Sequence, residues 1–370
     1  MNNNQKLASN LINYSCKLKK GEKVFIYVSD SGNNSTELVN AIISEAGKVG
    51  ALAFPVLENP KSKREWLLNV TDEQLEETKN IYLPIMESMD AYIRISAGEN
   101  KFELSDVPEE RIKAFTKICQ MPIVNTRVTK KWVILGFPTQ GMAQSAEMST
   151  KQFEDFYYNV CTLDYNKMNN AMDSLKSLMD RTDKVRLVAK DTDLTFSIKD
   201  LPAIKCAGEC NIPDGEVYTA PVKNSVNGVI TYNAPSVYDG VCFENVKLVF
   251  KDGKIIEATS NNTERINQIF DTDEGARYVG EFAIGVNPFV TKPMKDILFD
   301  EKIRGSIHFT PGMAYEDANN GNVSDIHWDL VLIMTEEYGG GQIYFDDILI
   351  RDNGKFVLPE LECLNPENLV

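Results

Sequence analysis

A chain of 370 residues exceeds the length at which a single hydrophobic core usually stops growing, so two domains are expected. With 43% apolar and 25% charged residues it reads as globular, and no apolar run approaches the roughly 20 residues that cross a bilayer. A formal charge of −15 argues against a phosphate-backbone partner, and leaves either plain solubility or carboxylates gathered around cations.

The first half alternates helix and strand patterns. Residues 6–18 read as an amphipathic helix with Leu7, Leu11 and Ile12 on one face. "EKVFIYVS" (22–29) is a short apolar run behind a glycine, hence a buried strand. "STELVNAIISEAGKVG" opens on Ser35 as N-cap, carries Glu37 in its first turn and ends at Gly50. "ALAFPVL" and "AYIRIS" read as strands separated by the helical "DEQLEETKNIYLPIMESM". "EERIKAFTKICQM" predicts another helix and "PIVNTRV" another strand. This order predicts an α/β domain with a mostly parallel sheet covered by helices.

The second half changes character. A helical stretch at 164–180 leads into "DKVRLVAKDTDLTFSIKD", and from there the strands are short and joined by tight turns. Asp252-Gly253 and Asn353-Gly354 mark hairpin tips. The expectation is an N-terminal α/β domain at 1–183 and a β-rich α+β domain at 184–370. "GGG" (339–341) lacks the Lys and Ser/Thr of a phosphate loop, and "GEKVFIYVSDSGNNST" lacks the spaced glycines of a dinucleotide site. Seven scattered cysteines give no disulfide framework, and the first twenty residues lack the pattern of a secretory signal; both fit a cytoplasmic protein.

The chain has only two histidines, His308 and His327, both inside "GSIHFTPGMAYEDANNGNVSDIHWD". If "IHWD" is a strand, His327 and Asp329 share one face with Trp328 opposite. A histidine beside a carboxylate suits a divalent transition metal. His308 lies between Ile307 and Phe309 and reads as a strand residue. Glu216 follows a Pro-Asp-Gly turn, and Glu281 interrupts the apolar "YVGEFAIGV". Burying a glutamate in such company is costly unless a cation neutralises it.

"PDGEVYTAP", "GEFAIGVNP", "DEKIRGSIHFTPGMAY" and "NVSDIHWD" occur in this order, and the chain resembles the thermophilic metallo-aminopeptidase family of the aminopeptidase T and S type. "LINYSCKLKKGEKVFIYVS" and "FPTQGMAQSAEMSTKQFEDF" extend the resemblance over nearly the whole chain. It implies a two-metal site of two glutamates, two histidines and an aspartate, carried over here to Glu216, Glu281, His308, His327 and Asp329. It also implies a functional tyrosine seven residues after the first histidine, here Tyr315, and a homodimer with a secluded cavity. The loop between Tyr315 and His327 is shorter than the family pattern.

Five ligands are too many for one catalytic metal, which usually keeps about three plus water. Two ions need a bridging carboxylate, for which Glu281 is the candidate. The expected function is an aminopeptidase that acts on peptides with a free N-terminus through a water activated by two divalent ions (Zn, Co or Mn). Tyr315 and Glu216 are the expected catalytic side chains. No nucleic-acid or membrane partner is expected. The alternatives are a single-iron ring-cleaving dioxygenase of the dihydroxypyridine type, and a metal-stabilised binding protein without catalysis.

Overall fold

The computed structural model describes residues 1–30, 32–100 and 102–370. These form two compact units, one of Met1–Thr162 with Gly208–Ile212, the other of Leu163–Ala207 with Pro213–Val370. The division falls ahead of residue 183 because the helix Tyr165–Met179 packs on the strand Ile204–Cys206 and on the C-terminal turn Pro359–Leu364 of the second unit.

The first unit is a parallel α/β layer, as its alternating pattern predicts. Its strands are β1 (Lys23–Asp30), β2 (Leu52–Glu58), β3 (Ala91–Ala97) and β4 (Lys131–Gly136). They lie in the order β2-β1-β3-β4, and the short strand Asn211–Ile212 adds to the β4 edge. The helices are α1 (Asn3–Ser9), α2 (Thr36–Val49), α3 (Pro60–Asn69), α4 (Asp72–Glu87), α5 (Glu109–Phe115), α6 (Met121–Arg127), α7 (Gln140–Ser145) and α8 (Thr150–Cys161). Gly50 ends α2 in the left-handed conformation at φ 78°, which a residue without Cβ adopts freely. Ser35 stands at the start of α2, but its hydroxyl donates to Asp30 instead of capping the helix.

One expected strand is a helix. "PIVNTRV" forms most of α6, continuing from α5 through a π-turn at Thr116–Gln120. Pro122 lies just past that π-turn, and Ile123 packs onto the sheet below. Tertiary packing overrides the strand propensity of the β-branched pair Ile123-Val124. The fourth strand is instead the following "KWVILG".

The second unit is antiparallel and β-rich, as expected. An eight-stranded sheet runs from Lys254–Thr259 at one edge to Lys355–Phe356 at the other. Its hairpin tips carry positive φ at both central residues, Asp252 and Gly253 in one, Asn353 and Gly354 in the other, as the sequence pairs predict. A five-stranded sheet lies against it, built from β5 (Ile204–Cys206), β6 (Glu216–Thr219), β7 (Val279–Gly285), β8 (Ser306–Pro311) and β9 (Val331–Ile333) in the order β9-β8-β7-β6-β5. Phe196 of the larger sheet meets Phe282 and Phe309 of the smaller at 4.9 Å between ring centroids. Thus one face of the smaller sheet fills the core and releases the other.

Candidate metal centre

Side chains alternate along a strand, so the residues between the core-facing Val217, Phe282, Ile307 and Phe309 turn to the other face. The register pairs Glu216 with Cys206 and Gly285, Tyr218 with Ala283, and Ala283 with His308. Glu216, Glu281 and His308 therefore project together, and all three are buried. Glu281 sits on the central strand, flanked on both sides, rather than on an edge facing water.

His327 and Asp329 arrive differently. The segment is irregular: His327 makes one isolated antiparallel bridge with Gly312, and β9 begins only at Val331, so the expected strand at "IHWD" is absent. Trp328 still separates the two, its ring packed among Tyr238, Phe243 and Phe270. Anchoring that indole in the core turns its polar neighbours outward. His327 Nε2 lies 3.3 Å from Asp329 Oδ1 and 3.2 Å from Glu281 Oε2.

The five side chains form two groups with metal-ligand spacing, Glu216–Glu281–His308 and Glu281–His327–Asp329, and Glu281 belongs to both. Its Oε1 faces His308 Nε2 at 3.2 Å while its Oε2 faces His327. A divalent ion in each group fits the donors. Glu216 Oε2 and His308 Nδ1 are fully buried, have no hydrogen-bond partner, and stand 3.6 Å apart. Buried polar atoms left without hydrogen bonds, a carboxylate oxygen and a ring nitrogen together, suit a bound cation. Around them, His327 Nδ1–H donates to the Met313 carbonyl at 2.8 Å, which aims Nε2 at Glu281 and Asp329. Thr310 donates to Asp329 at 2.7 Å and holds that carboxylate in place.

The charges are strongly coupled. Burial opposes protonation of the histidines, yet the carboxylates prevail: Glu216 and Glu281 push His308 up to about 10, and Asp329 and Glu281 push His327 up to about 11. Burial would raise Glu281 and Asp329, but the imidazoles hold both below the ordinary carboxylate range. Tyr315 is about half exposed, and its ring packs at 4.6 Å on His327 and 5.8 Å on Tyr218. Partial burial, reinforced by Glu281 and Asp329, raises its hydroxyl above the usual tyrosine value, so it remains a proton donor at neutral pH.

Lys302 and two of the carboxylates around it, Glu301 and Asp214, escaped the sequence reading. Lys302 is fully buried, its ammonium 2.5 Å from Glu216 Oε1, 2.5 Å from Glu301 Oε1 and 3.5 Å from Asp214 Oδ1. Gly285 makes this possible. A Cβ there would stand 2.4 Å from the Ile303 carbonyl oxygen, so only glycine lets the lysine-bearing segment cross the sheet. Asp214, two residues before Glu216 in the same turn, was a local signal.

The sequence matches the profile of the thermophilic metalloprotease family, M29, over residues 1–356. It is 24% identical to aminopeptidase T of Thermus thermophilus over 93% of this chain and 95% of that protein. It is 30% identical to aminopeptidase PepS of Streptococcus thermophilus, in an alignment spanning 43% of this chain and 44% of PepS. The solved structure of Thermus thermophilus AmpT superposes with a TM-score of 0.80 at 21% identity, covering 96% of this chain and 99% of that one. Pseudomonas putida 2,5-dihydroxypyridine dioxygenase shares the fold with a TM-score of 0.64 at 13% identity, over 98% and 99% of the two chains.

Proposed function

The chain belongs to the thermophilic metalloprotease family, M29, and on that premise we propose that it is a metal-dependent aminopeptidase removing N-terminal residues from peptides. The observation that carries the two-ion reading is the sharing of Glu281 between two ligand groups. Two divalent ions held there, of a kind suited to mixed nitrogen and oxygen donors such as Zn, Co or Mn, would supply a nucleophilic water at neutral pH and a Lewis acid for the scissile carbonyl.

The protein's own groups complete the chemistry. Glu281 spans both histidines with its two oxygens, and Lys302 restrains Glu216 through one oxygen while leaving the other free. Tyr315, protonated at neutral pH, donates to the oxyanion that develops on the substrate carbonyl. The crowd of carboxylates favours a free α-ammonium and disfavours a blocked N-terminus.

The single-iron dioxygenase reading has the fold likeness to support it, but five protein donors in two groups exceed what one iron requires. A cytoplasmic location and a homodimer are part of the same proposal, the homodimer from the family resemblance; no disulfide joins any of the seven cysteines.

The test is hydrolysis of aminoacyl p-nitroanilides by chelated protein before and after adding Zn, Co or Mn, with N-acetylated substrates and oxygen uptake measured in parallel. Metal-restored cleavage of free but not acetylated substrates is expected. Full activity after verified metal removal, or oxygen consumption with iron, would overturn the assignment.

A further inference from the structure

A cavity of about 320 Å³ lies wholly within the first unit and outside the candidate metal centre. Its floor is one face of the parallel sheet. Phe25 pairs with Tyr92 and Tyr27 with Arg94 in the β1/β3 register, so four side chains stand in a block on the same side. Its walls come from α3, α4, α5 and α6, among them Trp66, Met86, Phe115 and Arg127. A tightly packed domain would fill such a space. Here Phe25 stacks on Tyr92 at 5.9 Å and Trp66 meets Phe115 edge-on at 5.9 Å, which braces the walls and leaves the gap.

The charges in this cavity do not balance. Lys63 is neutralised by Glu58 at 3.0 Å, and Tyr27 donates its hydroxyl to the same carboxylate. Arg94 and Arg127 have no ion-pair partner among the described residues, and the Nε of each is buried without a hydrogen bond. Arg127 lies over the rings of Tyr92 and Trp132, at 5.5 and 4.8 Å. Two guanidiniums face one aromatic cavity in a chain whose formal charge is −15. Like charges in a partly desolvated space repel, so an arrangement of this kind is completed by an anion.

We propose that this cavity binds a small carboxylate on an aromatic or branched apolar body, with Arg94 and Arg127 clamping the carboxylate and the Phe25, Trp66 and Phe115 rings enclosing the body. The volume is at the lower end of small-molecule sites, and a few convergent polar groups in an apolar wall are their usual composition. Guanidinium suits a carboxylate because its fork matches the two oxygens. Glu58 is already engaged by Lys63 and Tyr27, so no acidic group is free for an ammonium beside that carboxylate. The ligand is therefore a simple acid rather than a free amino acid, which separates this site from the products of the peptidase reaction.

The experiment is calorimetric and tryptophan-fluorescence titration of the purified full chain with 3-phenylpropionate, its neutral amide 3-phenylpropanamide, phenylalanine and phenyl phosphate. Saturable binding of 3-phenylpropionate is expected, with the amide and phenylalanine weaker by about tenfold or more, the loss of one charge-assisted hydrogen bond. Phenyl phosphate distinguishes the head group, and tighter binding of it than of the carboxylate overturns the carboxylate assignment. R94M and R94M/R127M, checked by near-ultraviolet circular dichroism, should weaken 3-phenylpropionate by at least about tenfold each. R94K, which retains the charge, covers the case in which the double variant does not fold and should lose less than R94M. Absence of saturable binding, equal affinity for acid and amide, or unchanged affinity in a folded R94M would overturn the proposal.

Discussion

Lys302 Nζ lies 2.5 Å from Glu216 Oε1, with both side chains withdrawn from solvent. Burial disfavours the ammonium, but Glu216, Glu301 and Asp214 outweigh that and hold it protonated. One oxygen of Glu216 is thereby committed to a cation of the protein, and the other is left for a ligand. Removing one member of a buried pair leaves an uncompensated charge, costing about 3–5 kcal/mol. Lys302→Met should destabilise the metal-free chain by about that amount in urea denaturation with chelator present. A change below about 1 kcal/mol would mean that the lysine does not neutralise the cluster.

Glu281 faces both histidines, so it couples two sites. Glu281→Gln keeps the shape and removes the charge. Elemental analysis of the desalted variant should find both ions lost, whereas Asp329→Asn should release one and retain the other. Two tightly held ions in Glu281→Gln would exclude the bridge.

His308 and His327 carry protons at neutral pH in the metal-free chain, with values of about 10 and about 11. A ligating imidazole must be neutral, so metal loading at pH 7 should release up to about two protons. Calorimetry in buffers of different ionisation enthalpy counts them, and the apparent metal affinity should rise with pH. A release near zero would show that the histidines are already neutral.

The same shifts govern stability without metal. A folded value above the unfolded one means that the stabilisation is complete below the ordinary histidine range, about 6.5, and disappears as pH rises through about 10 and 11. Melting in chelator should fall across that alkaline window, and less steeply in His327→Gln. Identical alkaline profiles for the two proteins would contradict the charge network.

Tyr315→Phe removes one hydroxyl from a ring held by His327 and Tyr218. Activity should fall about 10²–10³-fold in kcat with KM little changed, the signature of a lost oxyanion donor. If the hydroxyl instead completes a metal's coordination, metal affinity falls as well. Wild-type kcat together with wild-type metal affinity would assign the ring to packing alone.

Local chemistry was legible from the residues alone. Asp252-Gly253 and Asn353-Gly354 specify hairpin tips because both positions need positive φ, a demand met within two residues. The β-α order, and Glu216, Glu281 and His308 as strand residues, followed from short-range pattern. "PIVNTRV" misled because helix or strand was decided there by what lay beneath Ile123 and not by propensity. "IHWD" misled because Trp328 was anchored in the core without a strand ladder. The convergence itself belonged to the tertiary structure. Glu216, Glu281 and His308 meet through strand register, and register is set by long-range pairing in which a one-residue slip would turn each side chain to the other face. Lys302 enters only because a chain segment crosses over Gly285 at a distance no other residue would allow, and that close approach exists nowhere in the linear order of the chain.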